Sequence, residues 1–129
     1  MNDQQRVDAG RAIRREVLGA AYVDRPGPEP TRMQREFQRF TLENCWGSVW
    51  VREGIDRKTR SMLNLAMLSA MGRWHEFEVH VRGAVNNGVN EDEIVEIILQ
   101  AGVYAGVPIA AEAFRIADRV LAEIGASRA

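Results

Sequence analysis

This sequence is poor in the residues that mark specialised architectures. A single cysteine, Cys45, stands among 129 residues, so no disulfide can form within the chain, and neither a CxxC pair nor a Cys/His zinc spacing exists. Cys45 reads as a small core residue, with a reactive thiol as the alternative. An excess of charge is missing too. Seventeen basic side chains against 18 acidic ones leave a formal charge of −1, which removes the electrostatic case for nucleic acid or an anionic membrane. No apolar run approaches the ~20 residues of a membrane span, and the opening MNDQQRVDAG holds no apolar signal core. A soluble, cytoplasmic protein is expected. Period-two alternation bounded by hairpin turns, repeats at a solenoid spacing and low-complexity tracts are all absent.

What is present is helical periodicity. Ala9, Ile13 and Val17 recur every four residues and predict a first helix over about Asp3 to Leu18, with Gly19 as its stop. Three of the four prolines follow in the connector up to Thr31, which reads as an irregular, stiff arm. Thr31 caps a second helix whose Met33, Phe37 and Phe40 are expected to face inward, ending near CWGSVW. Asp56 caps a third, reaching Met71, apolar on nearly all sides and so expected to be central and buried. Gly72 separates it from a fourth helix with an inward stripe of Trp74, Phe77, Val81 and Ala84. Asn90 and Glu93 make a capping box for a fifth helix, with Ile94, Ile97, Ile98, Ala101 and Ala105 facing inward. Pro108 suits the first turn of a sixth, which is expected to stop at Gly125 ahead of a fraying GASRA end. The prediction is an all-α fold of about six helices in one domain, residues 1–129, with residues 1–30 as helix and arm.

The stretch from Arg60 to Gly88 carries the chemistry. Arg60 lies 12 residues before Gly72 and His80 lies 8 after it, so in a helical hairpin they sit about one turn, roughly 6 Å, apart along the axis. Arginine supplies a permanent cation suited to a carboxylate, and histidine a proton donor or acceptor near neutrality. Packing explains the same spacing: His80 flanks an apolar stripe, and Arg60 can pair with Asp56. Trp46 and Trp50, four apart, serve either as core or interface anchors or as walls of an organic-substrate pocket. His75 points away from the stripe.

The sequence resembles the 4-carboxymuconolactone decarboxylases, within the wider alkylhydroperoxidase-like group. The resemblance rests on RREVLG at Arg14–Gly19, WGSVW at Trp46–Trp50, the R-x-x-R-S run from Arg57 to Ser61, HVRGAVNNGV at His80–Val89 and YAGVP at Tyr104–Pro108. It implies an all-helical domain assembled into homotrimers or homohexamers. The implied reaction is loss of CO2 from a carboxylated lactone to give an enol-lactone of 3-oxoadipate, with no cofactor and no metal. It implies that His80 is the proton donor, that Arg60 holds an acid group or a developing oxyanion, and that Trp46, Trp50 and Tyr104 wall the pocket. Peroxidase relatives carry CxxC where this chain has Arg73 and Glu76, so thiol peroxidase chemistry has no nucleophile here. Decarboxylase members carry Asn and His where this chain has Glu112 and Arg115, which makes Arg115 a candidate contact to a different acid.

Overall fold

The computed structural model describes residues 1–128, with side chains described as far as Gly125. Its regular elements are all helical. They are α1 (Asp3–Leu18), α2 (Ala20–Val23), α3 (Arg32–Thr41), a π-helical stretch (Leu42–Trp46), α4 (Arg57–Ala70), α5 (Trp74–Asn86), α6 (Glu91–Ala105) and α7 (Val107–Arg128). The all-α expectation holds. The count exceeds six because the proline-containing connector begins with a helical turn, α2, before its prolines. No helix among the described residues is long and apolar enough to cross a membrane. Two compact units divide the chain, Met1–Asp56 and Arg57–Ala129.

In the first unit α1 packs along the π-helical stretch. Two glycines permit it: a Cβ on Gly10 would come within 2.4 Å of the Leu42 carbonyl oxygen, and one on Gly47 within 2.2 Å of the Arg6 carbonyl oxygen. Asn2 and Gln5 form a capping box on α1, and Thr31 and Gln34 another on α3. An Arg15–Asp24 ion pair at 2.7 Å ties α2 back to α1. One expectation fails here. Met33, Phe37 and Phe40 do not face inward; all three are exposed, Phe37 at 68%. Within its own unit α3 rests on the π-helical stretch, which leaves its apolar stripe uncovered.

The second unit is a ring of four helices. α4 packs on α5 and α6, and α7 packs on the same two. Leu65, Phe77, Val81, Ala84, Ile94, Ile98, Ala113, Ile116 and Val120 fill its centre, each large one contributing roughly 1.5–3 kcal/mol by leaving water. The turn between α4 and α5 needs Gly72, whose φ is +69°, and closes with the Arg73 N–H donating to the Leu68 carbonyl at 2.9 Å. Asn90 and Glu93 cap α6 as expected. Three details depart from expectation. α4 is not covered all round, because Leu63 and Met67, and Met71 just past its end, lie exposed. Ala105, at the end of α6, is exposed. α7 does not stop at Gly125 but continues to Arg128, an interior glycine costing a helix only about 1 kcal/mol. Of the expected fraying end, Ala129 lies outside the described residues.

Candidate active site

α4 and α5 run antiparallel from the Gly72 turn, and two polar contacts bridge their seam. The Asn64 Nδ2 lies 3.3 Å from His80 Nδ1. Two turns further along α5, Asn87 Nδ2 donates to Ser61 Oγ at 2.8 Å. Ser61 is fully buried. Arg60 is half-buried and precedes Asn64 by one helical turn, so the two share a face of α4 about 6 Å apart. The seam thus holds His80 at the level of Asn64, and helix geometry puts Arg60 one turn from that level on α4.

Burial governs the imidazole. Desolvation brings the His80 pKa from 6.5 down to about 4, against a weaker upward pull from Glu76, one turn earlier on α5. The shift favours the neutral ring near pH 7.

The other predicted site residues belong to other elements. Trp46 and Trp50 belong to the first unit, where both are buried and their ring centroids stand 5.0 Å apart at a 30° tilt. Cys45 interacts with the Trp50 side chain, and burial pushes its thiol pKa up, which fits a core residue better than a nucleophile. Tyr104 is 85% exposed in the last turn of α6. Arg115 pairs with Glu112 one turn earlier on α7 and lowers that carboxyl's pKa through the hydrogen bond between them. It lines a groove of about 460 Å³ between α6 and α7, with Ile94, Val95, Ile98 and Phe114. That groove is across the four-helix ring from the α4–α5 seam, so Arg115 and His80 are not brought together within the unit.

A second groove, of about 510 Å³, runs between α4 and α6, floored by Met62, Leu63, Ala66 and Ile97 and edged by Asp92, Glu93 and Glu96. Neither groove is lined by Arg60 or His80. The candidate site is the α4–α5 seam, which carries the titratable ring of His80. Asn64 was not among the residues singled out from sequence. Its signal was available: it is the polar residue one turn after Arg60 in an otherwise apolar run, NLAML.

Residues 35–119 match the model of the carboxymuconolactone decarboxylase family. The chain is 41% identical to the 4-carboxymuconolactone decarboxylase of Acinetobacter baylyi over 125 residues, 97% of this chain and 93% of that protein. It is likewise 41% identical to the nitrosuccinic acid decarboxylase of Metarhizium robertsii over 114 residues, covering 88% and 80% of the two chains. An uncharacterized 15.0 kDa protein of Paracoccus denitrificans is 36% identical over 84 residues, 64% of this chain and 63% of that one. The family match takes in the whole α4–α5 hairpin with Arg60, Asn64 and His80, and this chain belongs to the carboxymuconolactone decarboxylase family.

Proposed function

We propose that this protein is a carboxy-lyase that removes CO2 from 4-carboxymuconolactone without a cofactor, giving 3-oxoadipate enol-lactone in the cytoplasmic breakdown of protocatechuate. The observation that carries the reading is the 41% identity across 93% of a decarboxylase of that name. The desolvated imidazole of His80, one turn from the Arg60 cation, supplies the chemistry that such a reaction asks for.

The departing carboxylate is conjugated through the ring alkene with the lactone carbonyl. When the carbon–carbon bond breaks, its electron pair stays on the organic fragment as a dienolate and CO2 leaves. A fixed cation near the carbonyl oxygen lowers that barrier, and Arg60 is assigned to it or to a substrate carboxylate. Bound carboxylates also change His80. An anion beside the ring favours its charged form, so the imidazole takes a proton from solvent as substrate binds. It delivers a proton to the ring carbon and returns to neutral. Trp46, Trp50, Tyr104 and Arg115 are assigned to substrate contact. Tyr104 stands in solvent and would reach a substrate from a neighbouring subunit. The uncovered stripes Met33–Phe37–Phe40 and Leu63–Met67–Met71 support assembly into a homotrimer or homohexamer, since apolar surface gathered in this way marks contact sites.

The equal identity to a nitrosuccinic acid decarboxylase favours one second reading, a different carboxylic acid as substrate. A nitro group beside the departing carboxylate can accept the electron pair as a lactone-conjugated alkene does, and the same protonation at carbon follows. Glu112 and Arg115, where the family pattern differs, fit such a change. Two assays decide between them: the ultraviolet change on loss of carboxymuconolactone, and isotope-traced CO2 release from nitrosuccinate. Turnover of the lactone alone supports the first reading, and of nitrosuccinate alone the second. Turnover of neither contradicts both.

A further inference from the structure

We propose that Asn64 is a positioning residue that fixes the tautomer of His80, holding the neutral ring with its proton on Nε2 and, after a half-turn of its amide, accepting from Nδ1–H when the ring is charged. The inference rests on the reading of His80 as the proton donor and goes beyond it by assigning which ring nitrogen works.

The geometry is specific. The Asn64 amide nitrogen lies 3.3 Å from His80 Nδ1. An amide nitrogen only donates, so the Nδ1 that meets it is the unprotonated, accepting nitrogen of the ring. The single proton of a neutral imidazole is then on Nε2. Glu76, the charged neighbour on α5, acts on the ring through its field, which favours protonation without choosing between the two nitrogens.

The choice of asparagine follows from the cycle the ring must complete. The proton taken from solvent adds to Nδ1, and the charged ring delivers its Nε2–H to the substrate carbon. Exchange with solvent then removes Nδ1–H and restores Nε2–H. While Nδ1–H is present it needs an acceptor. An amide provides both kinds of group on one planar end: Nδ2 donates to the neutral ring, and Oδ1 accepts from the charged one after rotation about χ2. A leucine of similar size does neither. An aspartate only accepts, and would draw the neutral ring's proton onto Nδ1. Asn64 is itself held on a helix whose neighbouring turns are fixed to α5 and the core through Ser61 and Leu65, so the contact is set by rigid elements and not by a loop.

The test is nitrogen NMR of the His80 ring in uniformly 15N-labelled whole protein at pH 7. The wild type is expected to show a pyridine-type Nδ1 and a protonated Nε2; the reverse assignment overturns the proposal. In Asn64→Asp the proton is expected to move to Nδ1, and in Asn64→Leu the two forms are expected to mix. An unchanged Nε2–H signal in both variants overturns it. Asn64→Leu should also lose about 10- to 100-fold in kcat with KM changed less than about threefold, the usual scale for a group that orients a reacting one. A wild-type kcat overturns the catalytic half. The failure of the underlying reading is separate: full turnover by His80→Ala removes the His80 assignment whatever the ring spectrum shows.

Discussion

Asn87 near the end of α5 donates its side-chain amide to Ser61 Oγ on α4 at 2.8 Å, and Ser61 is fully buried. The bond sets the axial register of the two helices that carry Arg60 and His80. A slip of one residue along α4 would move Arg60 by about 1.5 Å against the ring, a displacement large enough to disturb catalysis.

Ser61→Ala removes the acceptor and leaves the Asn87 amide without it. The expected loss is about 1 kcal/mol of stability, the net worth of one such hydrogen bond, read as a lowered denaturant midpoint at unchanged slope. Because register also serves the site, kcat/KM should fall more than this modest destabilisation explains at temperatures where the variant is fully folded. An unchanged kcat/KM would detach the bond from function.

His80 makes stability depend on pH in a defined direction. Its folded pKa, about 4, is below the ordinary 6.5, so between those values the unfolded chain binds the extra proton. Folding stability from this group is therefore complete above pH 6.5 and is lost as pH falls towards 4, by roughly 3 kcal/mol across the window. Glu78 and Glu93 have carboxyl pKa values lowered by Arg119 and Lys58, and their contributions are lost only below the ordinary carboxylate value of 4.5, under most of the His80 window. Urea unfolding from pH 4.5 to 7 should show the rise in the wild type and a flatter curve in His80→Gln.

Much of this fold was legible because its signals are local. The α1 boundaries, the Thr31 and Asn90 caps and the Gly72 turn each follow from a side chain or a glycine acting within a few residues. The π-helical stretch was not legible. Its Gly47 N–H bonds to Leu42 five residues back, a spacing that an alternation of apolar residues does not distinguish from an ordinary helix. Nor was the exposure of Phe37, Phe40 and Met67. Periodicity identifies an apolar face and leaves open what covers it. For the candidate site, residue type and spacing singled out Arg60 and His80, but the contact of Asn64 with His80 joins residues 16 apart in sequence, and only the folded hairpin shows it.

Gly102 on α6 and Ala110 on α7 set how closely those helices pack. A Cβ at Gly102 would lie 2.7 Å from the Ala110 Cβ. Gly102→Val should therefore destabilise by about 1–3 kcal/mol through overpacking, despite valine's better helix propensity. Thermal unfolding measures it, and a stability equal to the wild type's would mean that the helices separate freely.

The exposed side of α4 offers a test of assembly. Leu63→Glu with Met67→Glu places two charges on that stripe while leaving the buried Ser61, Leu65 and Ser69 side untouched. Light scattering is expected to show a mass reduced towards the 14.5 kDa of one chain. Retention of the wild-type mass would move the contact to another surface.

The most direct test is CO2 release from 4-carboxymuconolactone by the wild type and by His80→Ala at pH 7, with folding checked by circular dichroism. The predicted result is robust release by the wild type and a rate lower by roughly 10²–10⁴-fold in the variant, the usual worth of a positioned acid. A folded His80→Ala protein that releases CO2 and forms the protonated lactone at the wild-type rate would contradict the assignment of the α4–α5 seam as the reactive centre.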